Sequence, residues 1–314
     1  MNGFKKEVII IKILVTGGSG FIGSHLVEYL TESGHEIFIV DRKPALLSNF
    51  NRVNFFKRDI SCSEDFDDIM PNIDIVYHLA SNSNVRDTAS DEKDTIGTTI
   101  SLLESMRKHN VYNLIFTSSS AIYGIGAVAW YENSHATPIS SYGKAKRFSE
   151  KLIESACLEW GLNATVLRLA NVVGKNQTHG VLFDFYQKLQ HDPSLLKIMG
   201  NGKQTKEYIH ISDILSSINL VSKRLHSFEI YNVSSSTPLN VIEIADIICS
   251  EMGLLNVKYV TEREEYGWVG DVPYYSLDTS KLKSLGWICK FNSKSAVQRT
   301  VHDFLSIFNQ EGNK

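Results

Sequence analysis

An α/β fold is what the sequence predicts: a doubly wound parallel sheet carrying a smaller C-terminal α/β lobe. Three observations predict it. Short runs rich in Val, Ile and Phe alternate with helical patterns through the first half, as in a parallel sheet covered on both faces. A glycine-rich turn follows the first of these runs and opens a helix, the context of a dinucleotide-binding crossover. Beyond Asn171 the pattern loosens into Gly, Asn and Pro punctuation (Gly174, Asn176, Gly180, Pro193, Gly200, Gly202), which marks the start of a second lobe. With 314 residues, 43% of them hydrophobic, the chain has enough apolar surface for one large domain and a smaller one.

Taken in order, the expected strands are residues 7–15, 36–41, 53–59, 74–80, 113–119 and 164–170, and the expected helices 22–33, 95–110 and 143–160. Gly161 supplies the stop for the last of these. A helical stretch at 182–190 falls in the looser half. Segments 207–211 and 229–233 read as short strands that rejoin the main sheet. The expected division is therefore residues 7–173 plus short segments near 207–234 for the dinucleotide domain, and residues 174–314 mainly for a substrate lobe.

Charge excludes several partners. Lys and Arg (32) nearly balance Asp and Glu (35), leaving no electrostatic footprint for nucleic acid or an anionic membrane. Cys62, Cys157, Cys249 and Cys289 lie far apart with no C-x-x-C pair, so neither a metal cage nor a disulfide framework is expected, and a reducing cytoplasm fits. The apolar run 8–15 follows Lys5 and Lys6 but carries Lys12 and has no small-residue cleavage site after it. It is too short to span a bilayer and reads as the first strand. The expected partner is a small molecule.

In Thr16-Gly17-Gly18-Ser19-Gly20-Phe21-Ile22-Gly23 each of three glycines has its place. Gly17 permits the tight turn, Gly20 lets backbone approach a pyrophosphate, and Gly23 lets helix and strand pack closely, while the helix N-terminus offers N–H groups to phosphate. Asp41 ends the second strand about 20 residues on, where a carboxylate accepts hydrogen bonds from ribose hydroxyls and repels a 2′-phosphate. That favours NAD over NADP, although Arg42 beside it is the residue type that tolerates a phosphate. Taken alone, Asp41 would read as a strand-end turn residue. Asp59 and Ile60 after the third strand, and Leu79, Ala80 and Ser81 after the fourth, put two more loops on the same sheet edge, which is the ligand-binding edge of such folds. His78 reads as a satisfied strand-end histidine and is assigned no chemistry.

Tyr142 and Lys146 stand four apart at the start of a helix, hence on one face. A phenol of ordinary pKa about 10 is a poor base at neutral pH, and an adjacent ammonium favours its phenolate. Alone, such a pair is a common coincidence of helix surfaces. Beside a glycine fingerprint, and with Ser118, Ser119 and Ser120 at the exit of the fifth strand, it reads as a catalytic base.

These motifs, with Arg168-Leu169-Ala170-Asn171-Val172-Val173-Gly174, Glu207-Tyr208-Ile209-His210-Ile211-Ser212-Asp213 and Gly270-Asp271-Val272-Pro273, resemble the extended short-chain dehydrogenase/reductase family, of the NAD-dependent epimerase/dehydratase type. Within it they are most similar to the UDP-glucose 4-epimerases, and the resemblance covers nearly the whole chain. It implies a Rossmann-like sheet and NAD held by Gly17, Gly20, Phe21, Ile22, Gly23, Asp41, Arg42, Asp59, Ile60, Leu79, Ala80, Ser81, Ser118, Tyr142 and Lys146. Counting back four from Tyr123 gives Ser119 as the catalytic hydroxyl, beside Tyr142 and Lys146. The next two positions resemble an Asp-Glu pair in the dehydratases; here they are Ser120 and Ala121, so epimerisation is favoured. The implied reaction removes a proton from the sugar 4-hydroxyl and a hydride from carbon 4, lets the 4-keto sugar turn over, and returns the hydride to the other face.

The resemblance also places a UDP-sugar against Asn171, His179, Val181, Leu182, Lys206, Trp268, Asp271 and Tyr275, and implies a homodimer built on two helices per subunit. No metal is implied. Three departures stand out. Lys206 replaces an arginine usual in relatives, Trp268 stands where many epimerases have a phosphate-binding arginine, and Asp94 replaces an asparagine, with a changed helix cap or cofactor contact as the possible effects. Tyr275 holds the gate position, where bulk disfavours an N-acetylated sugar. Arg86 reads as a surface arginine, with a uronic-acid carboxylate as its alternative partner.

Overall fold

The structure is a computed structural model that describes residues 10–44, 52–60, 62–81, 89–126, 129–265, 267 and 270–311. Its strands are β1 (Lys12–Thr16), β2 (Glu36–Asp41), β3 (Val53–Lys57), β4 (Ile75–His78), β5 (Asn113–Ser119), β6 (Asn163–Leu169), β7 (Asn171–Val173), β8 (Leu195–Lys197), β9 (Thr205–His210), β10 (Phe228–Val233), β11 (Pro238–Asn240) and β12 (Lys258–Val260). The α-helices are α1 (Phe21–Glu32), α2 (Ala89–Lys108), α3 (Ser141–Trp160), α4 (Val181–His191), α5 (Ile211–Ser222), α6 (Val241–Glu251), α7 (Ser280–Ser284) and α8 (Ser293–Glu311).

Seven strands form one parallel sheet in the order β10-β6-β5-β4-β1-β2-β3. This is a Rossmann-like arrangement, and the order reverses on either side of β1, where open α/β sheets bind ligands. One face packs on α1 and α5 through Val15, Leu26, Ile39 and Ile218. The other packs on α2 and α3 through Leu14, Leu102, Phe116 and Ile153. Strands buried on both faces explain why β1, β4 and β6 read as continuous apolar runs.

A separate core gathers Leu182, Phe185, Leu196, Ile244, Ile248 and Val301 from α4, α6, α8 and two small sheets, β11-β9-β7 and β12-β8. Of the two segments expected to rejoin the main sheet, only one does. Strand β10 docks parallel on the free edge of β6, whereas β9 pairs with β7 and β11 in the three-stranded sheet. The expectation for segment 207–211 is therefore corrected. A short apolar run shows that a strand exists but not which edge it joins. Here the main sheet has a single edge beyond β6, and β10 takes it.

Local chemistry fixes the helices that matter for function. The Ser140 hydroxyl caps α3 by accepting from the Gly143 N–H at 3.1 Å, and Gly161 ends the helix at φ 77°, the left-handed conformation that glycine adopts freely. By contrast Gly20, the residue before α1, provides no side-chain cap. The helix's first N–H groups are left for a ligand.

Candidate active site

The glycine turn closes tightly on the end of β4. Gly17 adopts φ 73°, and a β-carbon there would lie 2.7 Å from the Ala80 nitrogen. One at Gly23 would lie 2.1 Å from the Gly17 carbonyl oxygen. Asp41 folds back over this turn: its Oδ2 accepts from the Ser19 N–H at 3.0 Å and its Oδ1 from the Lys43 N–H at 3.0 Å. Each carboxylate oxygen keeps a second lone pair for a hydroxyl. Phe21 and Ile22 open α1, half-buried. An uncapped helix start, a side-chain-free cradle and a carboxylate at the next strand end fit a dinucleotide.

Arg42 points between two carboxylates, 3.9 Å from Asp59 and 3.7 Å from Asp94. Helix α2 already runs from Ala89, so Asp94 lies inside it and is not its cap. The capping role that was open to it gives way to this ion pair. Ile60 is buried beneath, while Leu79, Ala80 and Ser81 leave β4 beside Gly17.

His78 is fully buried. Its Nδ1 is 2.7 Å from the Thr16 hydroxyl and its Nε2 is 3.2 Å from that of Thr99, which also meets Ser149 at 2.9 Å. Burial, with the Lys146 charge nearby, pushes the imidazole down to about 3. It is a neutral strut between β1, α2 and α3.

Strand β5 and helix α3 bring the remaining groups together. Gly143 makes this possible, because a β-carbon there would lie 2.5 Å from the Ala121 carbonyl, so α3 presses directly on the turn that follows β5. Within that turn Ser119 accepts from the Ala121 N–H at 3.2 Å. Burial raises the Tyr142 phenol above its usual value, and a hydrogen bond with Ser119 opposes the rise. Lys146, 1% exposed, donates to the Thr117 carbonyl at 2.8 Å, with its Nζ 4.7 Å from the Phe116 ring centroid and 5.9 Å from that of Tyr142. Burial lowers its ammonium to about 7, and Glu150 pulls the other way. Ser119, Tyr142 and Lys146 are thus assembled at the carboxyl edge of the sheet, next to the glycine turn.

One network was not anticipated. Glu150 Oε1 accepts from the Ser118 hydroxyl at 2.6 Å and from Arg168 Nε at 3.0 Å, while its Oε2 accepts from Arg168 Nη2 at 2.8 Å. Arg168 also donates to the Tyr123 hydroxyl at 2.8 Å, and Tyr123 donates to Asn232 Oδ1 at 2.7 Å. The available signals were an arginine within the apolar run of β6 and a glutamate one turn beyond Lys146.

On the second lobe the Asn171 N–H donates to the Tyr275 hydroxyl at 3.2 Å. Tyr275 is buried and its phenol is pushed up accordingly. Lys206 pairs with Asp271, so two residues expected to face substrate face each other. His179 and Val181 flank Gly180 at the start of α4, but the Leu182 side chain is buried in the lobe's core. Trp268 and Arg86 lie outside the described residues.

Fold and site define a Rossmann-like, NAD-dependent enzyme of the short-chain dehydrogenase/reductase type. The chain belongs to the NAD dependent epimerase/dehydratase family, whose model matches residues 13–234. It is 31% identical over 307 residues to a Methanocaldococcus jannaschii protein named "Putative UDP-glucose 4-epimerase", covering 92% of this chain and 97% of that one. The solved structure of the Thermus thermophilus UDP-glucose 4-epimerase in complex with NAD superposes with a TM-score of 0.82 at 27% identity, covering 94% of this chain and 99% of the other. A dTDP-glucose 4,6-dehydratase of Streptomyces niveus is 27% identical over 297 residues, covering 87% of this chain and 86% of that one.

Proposed function

We propose that this protein is a sugar-nucleotide 4-epimerase that interconverts UDP-glucose and UDP-galactose. The observation that carries the reading is the buried Tyr142 phenol beside the Ser119 hydroxyl, with the Lys146 ammonium one turn on and 5.9 Å from the Tyr142 ring centroid, at a strand exit whose next two residues are Ser120 and Ala121. That exit offers a base for the 4-hydroxyl and no carboxylate pair with which to eliminate water.

Tyr142 takes the proton of the sugar 4-hydroxyl and gives it back from the same oxygen. Lys146 holds positive charge near that phenol, and an opposite charge within a few ångströms favours the phenolate. Ser119 donates to the sugar oxygen as charge develops there, the kind of preorganised hydrogen bond that lowers a barrier. NAD, when bound, would supply the redox chemistry as a reversible hydride carrier for carbon 4, the hydride lost from one face of the sugar being regained on the other. Gly17, Gly20, Gly23 and Asp41 hold the dinucleotide, with Arg42, Asp59, Ile60 and the Leu79–Ser81 exit around the adenosine and ribose.

The lobe from residue 174 onward binds the nucleotide diphosphate, with Asn171, His179, Val181, Lys206, Asp271 and Trp268 as the contacts. Tyr275, pinned by the Asn171 N–H, closes the sugar end against an N-acetyl group. Exposed Ile100 on α2, and Phe148 and Leu158 on α3, supply the apolar surface for a homodimer. Free cysteines at 62, 157, 249 and 289 suit the cytoplasm.

The test is incubation of purified protein with UDP-galactose and chromatographic separation of the epimers. The expected result is a UDP-glucose/UDP-galactose mixture with a flat nicotinamide absorbance trace. Conversion of only UDP-glucuronate or a UDP-N-acetylhexosamine would move the substrate assignment, and a stoichiometric absorbance change would mark a reductase or dehydrogenase.

A further inference from the structure

On the epimerase reading above, we propose that Glu150 is a positioning residue: its buried carboxylate, locked by Arg168, sets Lys146 and the end of β5 against Tyr142 and so makes the phenol a base.

The geometry places Glu150 in the middle of the machinery without touching the reacting atoms. Its partner Ser118 stands between Thr117, whose carbonyl accepts from Lys146, and Ser119, whose hydroxyl lies beside the Tyr142 phenol. Gripping the central residue of that triplet fixes both outer ones. Arg168, held by the same carboxylate, grips the far end of the Ser119–Tyr123 turn through the Tyr123 hydroxyl, and donates to the Glu132 carbonyl at 2.8 Å. Arg147 closes the remaining side at 3.0 Å from Oε2. The carboxylate therefore ties α3, β5 and β6 into one rigid unit.

Energetics argue against a purely structural role. A buried ion pair is rarely worth more to folding than an apolar pair of the same volume, because both charges must be desolvated. Glu150 and Arg168 are each 1% exposed. The groups around Lys146 sharpen the point. His78 on β4 is neutral, Thr117 on β5 offers a carbonyl, Tyr142 is a phenol that bears charge only once deprotonated, and α2 presents the Thr99 hydroxyl through Ser149. Arg168 on β6 and Arg147 on α3 are cations already engaged by Glu150. Glu150, four residues along the same helix face, is the carboxylate that favours the ammonium over its neutral form.

Glu150→Gln alone leaves Arg168 buried without its partner and risks unfolding. The informative protein is therefore the neutral pair Glu150→Gln with Arg168→Met, checked by circular dichroism and melting. In the NAD-loaded protein, titration of Tyr142 by ultraviolet difference against a Tyr142→Phe blank is expected to move upward by about one unit. That shift cuts the phenolate fraction about tenfold at neutral pH. Turnover should fall to match and recover as pH rises, with KM for UDP-glucose within about twofold of wild type. A folded double variant with an unchanged Tyr142 titration overturns the proposal. Should the wild type prove inert toward UDP-hexoses, the epimerase reading fails, while an intact titration shift still upholds the role of Glu150.

Discussion

Lys146 on α3 donates its buried ammonium to the carbonyl of Thr117 on β5 at 2.8 Å, so the cation next to Tyr142 is held by backbone. Burial holds it down to about 7, well below the ordinary lysine value, and the sign of the consequence follows. Below pH 7 the folded chain carries the full cost of a buried charge. As pH rises from 7 toward the unfolded value near 10.4, the unfolded chain binds more protons than the folded one, and stability grows by up to about 1.4 kcal/mol per unit. Lys146→Met should therefore be most favourable to stability at pH 6 and lose that advantage by pH 9, as read from melting temperatures at both. The same variant should turn over about 100-fold more slowly or worse, for want of an activated base.

His78 has the same sign at lower pH. Its folded value of about 3 lies below the unfolded value near 6.5. Its neutral form is thus fully compatible with folding above pH 6.5, and stability is lost as pH falls from 6.5 toward 3, because only the unfolded chain takes up the proton. His78→Gln is expected to lower stability at pH 7, through the lost contacts to Thr16 and Thr99, and to flatten the decline between pH 6.5 and 4. Denaturant midpoints at pH 7 and 4.5 check this; an unchanged slope would remove His78 from the acid response.

Asp41 and its neighbours bear on the choice of cofactor. Asp41→Asn should weaken NAD binding by about tenfold, the effect of losing a hydrogen bond to a charged group, and should narrow the gap between NAD and NADP. Adding Asp94→Asn releases Arg42 from one of its two carboxylates and should narrow it further. Calorimetric titration of the cofactor-free protein with each dinucleotide measures both effects; equal discrimination in all three proteins would contradict the assignment.

How much of this was legible in the sequence depends on how local the cause is. Strands 36–41 and 113–119 were read to the residue, because a short apolar run bounded by polar residues marks a strand buried on both faces. Helix α3 starts two residues before its expected position since Ser140 is its cap. The Ser119–Tyr142–Lys146 assembly was readable because two of its members share one helix turn and the third ends a strand. Glu150 and Arg168 were not paired, for they sit 18 residues apart on different elements and nothing local joins them. Likewise Lys206 and Asp271, 65 residues apart, were each assigned to substrate, and their mutual pairing appears only in three dimensions. The sheet that β9 joins was illegible for the same reason.

The most direct test of the central claim uses UDP-glucose carrying deuterium at carbon 4. Mass spectrometry and NMR of the product formed by the wild-type protein should find UDP-galactose with the label retained at carbon 4, because Tyr142 moves only the hydroxyl proton and the carbon-bound hydrogen returns to its own carbon. A deoxy sugar bearing the label at carbon 6, or product with the label lost to water, would contradict the account.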